Sequence, residues 1–187
     1  MIGGSRRIHR SAWQSGSEIR DVLQGVFVAE ILRPSRCIWL VSPWISDITV
    51  IDNRMATFDA LNPAWGARQW KLSEVLVNLL QLGTVVRVAT RPGAPNRPVL
   101  PQLAAAMENF GLPKDAFKVF ETEELHEKGL LGDDYYLSGS MNLTFNGVEL
   151  LDEMVTFDVS AEAVADARLV YFRRWGGRLP GPTGSRT

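Results

Sequence analysis

The chain is poor in the two residue types that most often announce an active site. Its 187 residues include two histidines, His9 and His126, and one cysteine, Cys37. A lone cysteine excludes an intrachain disulfide and a cysteine-cluster zinc site, and it suits a reducing compartment. Neither sign of charge dominates. With 20 Lys plus Arg against 21 Asp plus Glu the net charge is −1, so bulk charge gives no pull towards nucleic acid. No apolar run approaches the roughly 18 residues that cross a bilayer. Arg6, Arg7 and Arg10 are not followed by the apolar region of a secretory leader. A cytoplasmic location with no membrane partner is expected. The apolar share of 45% and charged share of 22% exclude a disordered or fibrous chain.

The length predicts one domain over residues 17–176, with a flexible leader at 1–16 and a flexible Gly/Pro/Ser-rich tail at 177–187. Ser17 is a candidate N-cap, and Ile19, Val22, Leu23, Val26, Phe27 and Ile31 recur at helical spacing before Pro34 stops the helix. The run from Cys37 to Val41 predicts a strand covered on both faces, with Cys37 as a small buried hydrophobe. From Trp44 to Trp70 the pattern is irregular and reads as a long loop. A helix opening at Ser73 and stopped by Gly83, a strand over 85–89, a helix through Leu103 and Met107 ending at Gly111, and a strand over 117–120 follow. This alternation predicts an α/β fold with a mixed, largely parallel central sheet flanked by helices on both faces. Strand-like runs at 125–131 and 135–140 are then separated by the turn signal Gly132-Asp133-Asp134. A strand from Glu153 and a helix over 161–175 complete the chain. No internal repeat is present.

The segment from Leu125 to Thr144 carries the chemistry. On a strand, His126 and Lys128 share a face and Glu127 points away. After the turn Ser140 and Asn142 also share a face, and Gly139 lets the backbone come close to a bound group. Lys, Ser and Asn donors converging on one point suit a tetrahedral oxyanion such as phosphate, and a histidine at the rim is a nucleophile or proton carrier. Other residues have plainer readings. Asp133 and Asp134 serve as turn formers, and Glu153 reads equally as a solvated strand residue. Trp39 belongs to the core, whereas Trp44, Trp65 and Trp70 lie where a substrate wall could form. Arg91 and Arg97 are either a funnel for a phosphate backbone or ordinary surface, and Ser42 reads as a turn.

These residues give the chain its resemblance to the phospholipase D superfamily, whose pattern is His-x-Lys, four residues, Asp, six residues, Gly-Ser, and Asn two positions after Ser. His126, Lys128, Asp133, Gly139, Ser140 and Asn142 fill those places, with five residues between Asp133 and Gly139 instead of six. Val41-Ser42-Pro43-Trp44-Ile45 resembles the family's early strand ending in Ser-Pro, and Leu72 to Arg91 its helix-Gly-strand unit.

The resemblance implies phosphodiester hydrolysis in two steps through a phosphohistidine, without metal or other cofactor. It implies catalytic roles for His126, Lys128, Ser140 and Asn142, with Glu153 as the carboxylate that orients the imidazole. Gly139, Asp133 and Arg91 would assist substrate binding. Most members carry two such motifs and this chain carries one. His9 has Ser11 where the lysine would stand, so the resemblance implies a homodimer with a shared active site. Short single-motif members tend to be bacterial nucleases, some beside DNA-modification or phage-defence genes. The implied substrate is therefore nucleic acid, DNA before RNA, with other proteins of such a gene cluster as candidate partners. Two alternatives stand beside an endonuclease: a phosphatidyl hydrolase or transferase, and a non-catalytic nucleic-acid-binding or scaffold subunit. The acids between Glu121 and Asp134 weigh against a simple nucleic-acid surface, unless the basic segments Arg6–Arg20 and Arg168–Arg186 fold back beside the cleft.

Overall fold

The computed structural model describes residues 4–10, 17–59, 63, 66–93, 99–144, 146–150 and 153–175. The elements run in the order β1 (Ser5–Arg10), α1 (Ser17–Leu32), β2 (Cys37–Val41), β3 (Thr49–Asp52), β4 (Gln69–Lys71), α2 (Leu72–Gln81), β5 (Val85–Thr90), α3 (Leu100–Asn109), β6 (Phe117–Glu121), β7 (Gly129–Leu131), β8 (Tyr136–Gly139), a π-helical turn (Asn146–Leu150), β9 (Glu153–Asp158) and α4 (Ala161–Trp175). Seven strands form one mixed sheet in the order β1-β9-β8-β7-β2-β5-β6, and β3 and β4 form a separate antiparallel pair.

The parallel part is confined to β2, β5 and β6, whose connections run through α2 and α3. Every other pairing in the large sheet is antiparallel, so the sheet is less parallel than the alternation of its first half predicts. The reason is the link from β6 to β7. Residues 122–128 contain no helix, and the chain crosses to the far side of β2, where β7 runs antiparallel to it. A parallel return would need a crossover of a dozen residues or more.

Helices cover both faces. On one, Phe27 of α1, Leu76 and Leu80 of α2 and Leu103 of α3 pack over Ile38, Leu40, Val86 and Val88. On the other, Val164, Ala167, Tyr171 and Trp175 of α4 pack over Cys37, Trp39 and Val41. Trp39 is a core residue, with ring centroids 5.8 Å from Phe120 and 5.7 Å from Tyr171. Because β2 is covered on both faces, burial pushes the Cys37 thiol up to about 11. Among the described residues no helix is long and apolar enough to cross a membrane.

Two segments carry structure that sequence does not announce. Residues 5–10, inside the expected leader, form β1 on the edge of the sheet, with Ser5 opposite Asp158 and Arg10 opposite Glu153. The expected loop from Trp44 to Trp70 contains β3 and β4, which pair Thr49 with Lys71 and Asp52 with Gln69. The tail from residue 176 onwards lies outside the described residues, as do Trp65 and Arg97.

Candidate active site

The strand registers bring the motif to one end of the sheet. Val41 of β2 lies opposite Gly129 of β7, which lies opposite Ser138 of β8. One position further, Ser42, Lys128 and Gly139 therefore fall in a row, continued by Val155 on β9, the register partner of Gly139. Arg91 follows β5 directly, and its backbone N–H donates to Pro43 O at 3.3 Å. His126 and Lys128 sit in extended backbone just before β7 rather than on a strand. This end gathers the C-terminal ends of β2, β5 and β8, where open α/β sheets place their ligands.

His126 is exposed. Arg91 holds its surroundings: Nε donates to Leu125 O at 2.9 Å, and Nη2 lies 3.2 Å from Nε2 and 3.3 Å from Nδ1 of the imidazole. The Lys128 ammonium folds back and donates to His126 O at 2.8 Å. Cation, imidazole and guanidinium thus share one small region. Lys128 and Gly139 also line a common shallow depression with Leu143 and Val155.

Asn142 is placed through Ser42. The Ser42 hydroxyl, buried at the end of β2, donates to Trp44 O at 2.8 Å, lies 3.4 Å from Asn142 Oδ1, and accepts from Leu143 N–H at 3.3 Å. Ser46 N–H donates to Leu143 O at 2.8 Å, closing a parallel bridge between Ile45 and Leu143. Ser42 is the residue that sequence reading undervalues. The Ser-Pro strand end was the available signal, but the residue it positions lies a hundred positions away.

Ser140 clamps β9. Its N–H donates to Met154 O and its hydroxyl oxygen accepts from Met154 N–H, both at 3.0 Å. Gly139 before it has φ 155°, and a Cβ there would strike the carbonyl oxygen of Met154, so this position requires glycine. Glu153 opens β9 beside this clamp, opposite Arg10 in register. Its backbone is described and its side chain is not.

Asp133 stands apart. It lies in the β7–β8 turn, at the opposite end of both strands from Lys128 and Gly139. There it accepts from Arg36 N–H at 3.0 Å and Arg36 Nε at 3.1 Å, and lies 3.4 Å from Arg168 Nη2. The structure gives it an anchoring position, joining the hairpin to β2 and α4, in place of the expected contact with substrate. The same turn rests on Glu30, which accepts from Ser35 N–H at 2.8 Å and Ser35 Oγ–H at 2.6 Å.

The acidity of the motif is partly cancelled locally. Glu127 pairs with Arg174 of α4 at 2.8 Å, and Asp134 pairs with Arg33 at 3.3 Å. Trp44 is half-buried beside Ser42. Trp70 packs against the core with Arg68 4.1 Å above its ring. Among the described residues no three His, Cys, Asp or Glu side chains converge as a metal-binding group.

No protein-family model matches the chain, and no curated protein sequence matches it. Its backbone is similar to solved structures. A phospholipase D family member, Nuc from Salmonella typhimurium, superposes with TM-score 0.59 at 13% identity, over 93% of this chain and 95% of that one. NucT from Helicobacter pylori gives TM-score 0.54 at 12% identity, over 92% and 95%. Phosphatidylserine synthase from Haemophilus influenzae gives 0.52 at 16% identity, over 89% of this chain and 37% of that one. The chain has the phospholipase D-like fold.

Proposed function

We propose that the protein is a metal-independent phosphodiesterase that cleaves nucleic acid in a homodimeric active site. The observation that carries this reading is the convergence at one sheet end of His126, Arg91, Lys128 and the Ser42-held Asn142. An imidazole nitrogen of His126 attacks phosphorus while the bond to the leaving oxygen breaks, giving a phosphohistidine. The partner subunit's His126, in its protonated form, gives its proton to that oxygen. It then takes a proton from water, which displaces the imidazole and releases the phosphate monoester. Histidine suits both tasks because both of its forms are accessible near neutral pH. Lys128, Arg91 and the Asn142 amide supply positive charge and donors for the nonbridging oxygens, whose charge grows as the nucleophile attacks. For the lysine this requires a swing away from the His126 carbonyl.

One observation supports a nucleic-acid substrate. The backbone of Arg10, the last residue of β1, lies opposite Glu153 at the motif end of the sheet, whereas Arg6 and Arg7 pair further along β9. A basic residue at that end would help to hold a backbone phosphate despite the neutral net charge.

The test uses plasmid and single-stranded DNA with excess chelator. Cleavage by the wild type and its loss in a folded, dimeric His126→Ala variant are expected. Equal activity in that variant overturns the reading. A monomer at working concentration, by sedimentation, overturns the shared site. A second reading, a nucleic-acid-binding subunit without hydrolysis, draws on the Lys128 ammonium being satisfied by the His126 carbonyl. It predicts DNA binding with no turnover of any phosphodiester.

A further inference from the structure

A second cavity lies next to this site and is not used by the chemistry above. It measures about 480 Å3 and opens between the first turns of α1, the β3–β4 pair and the π-helical turn. Small-molecule sites occupy about 300–1,000 Å3. Its wall is continuous with the motif. Ser46, which lines it, is bonded to Leu143, the neighbour of Asn142, and Val148 lines it from the π-helical turn.

The polar groups in this wall are unequal in what they have left to offer. Both acids are already satisfied within the chain. Asp47 accepts from Ser73 N–H at 2.9 Å and Ser73 Oγ–H at 3.0 Å. Asp52 accepts from Arg54 at 2.7 and 3.0 Å and from Gln69 Nε2 at 3.3 Å, and Arg54 holds its carboxyl far below the usual range. The Lys71 ammonium has no acidic partner among the described residues, and Arg20, which is engaged within the chain, stands in the same wall. The two amides are held in complementary senses. Gln24 Oε1 accepts from Asp52 N–H at 2.8 Å, leaving its NH2 as donor, and Gln69 spends its NH2 on Asp52, leaving its carbonyl as acceptor.

We infer that this cavity binds a nucleoside phosphate, with Lys71 and Arg20 on the phosphate and the Gln24 and Gln69 amides on the base. One amide donor and one amide acceptor meet the hydrogen-bonding edge of a base, and a rim in which three cations, Arg20, Arg54 and Lys71, outnumber the two acids Asp47 and Asp52 takes an anion. The nucleoside phosphate is either free or the nucleotide that flanks the scissile bond in a bound strand. The second source rests on the nuclease reading, whereas the binding site itself rests on the cavity alone.

Isothermal titration of the full chain with 5′-AMP tests it. The wild type is expected to bind, and Lys71→Gln combined with Arg20→Gln to weaken binding by about tenfold or more. Arg33→Gln, on the far turn, is expected to leave it unchanged. Amide chemical-shift changes on adding AMP to the wild type are expected at Ser46, Thr49 and Val148, which keeps the test independent of any variant's folding. A labelled single-stranded oligonucleotide separates the sources. Displacement by AMP marks the flanking-nucleotide subsite, and co-binding marks a site for free nucleotide. Absence of AMP binding, unchanged affinity in the folded double variant, or shifts confined to residues around His126 each overturn the inference. Since binding is the readout, a chain that hydrolyses nothing yet loses AMP in the double variant refutes the phosphodiesterase and leaves this site standing.

Discussion

Arg91 and His126 come from different strand ends and meet with the guanidinium nitrogen 3.2 Å from the imidazole Nε2. The same side chain is tied to the Leu125 carbonyl at 2.9 Å, so it fixes the backbone entering the motif and the ring together. Arg91→Ala is expected to lower kcat/KM for a small phosphodiester by about 100-fold, the scale of losing one donor to a developing oxyanion. Arg91→Lys should restore only part, because a single ammonium cannot span the carbonyl and the ring. Full activity in the alanine variant rejects the role.

Ser42→Ala removes the hydroxyl that meets Trp44, Asn142 and Leu143. The Leu143 amide, itself buried, loses its acceptor. A stability loss of about 1–3 kcal/mol follows from an unmet buried group, read by urea denaturation. The fall in kcat should exceed the change in KM, since Asn142 is misplaced while the substrate surface stays.

Gly139→Ala forces a Cβ onto the Met154 carbonyl and strains a backbone at φ 155°. A loss of about 3 kcal/mol or more is expected, visible as a lowered melting temperature or an insoluble product. A variant that melts with the wild type contradicts the described backbone.

Glu30 gives the pH dependence. It is buried, and desolvation raises its carboxyl above the ordinary value against the pull of the Ser35 hydrogen bonds. A group that holds its proton more tightly in the folded chain favours folding at low pH. Its contribution declines as pH rises from about 4.5 through the raised folded value. In Glu30→Gln that component should vanish, so the stability difference between the two proteins should change with pH across the acid range. A constant difference between about pH 4 and pH 8 rules it out.

What could be read in the sequence was what is local. The helices α1 and α2 and the strand β2 declare themselves by the spacing of Ile19 to Ile31, Val75 to Leu80 and the unbroken Cys37–Val41 run. His126, Lys128, Gly139, Ser140 and Asn142 fall within seventeen residues, so their pattern survives without knowledge of the fold. β1 was silent because only Ile8 among its six residues is apolar, and its strand character comes from the edge that β9 offers. β3 and β4 are short and separated by a long insertion, too little for a period-two signal. Asp133 shows the reverse failure. It stands close to the motif in sequence, yet three strand residues carry it to the opposite end of the sheet.

The pairing of β1 with β9 also fixes a timetable for assembly. Ser5 sits opposite Asp158, so a growing polypeptide must hold β1 uncovered until the distant residues of β9 have been made. Chaperone capture or premature association would act on that arginine-rich segment during synthesis. The β7–β8 hairpin that follows His126 gains its outer neighbour only once β9 has left the ribosome.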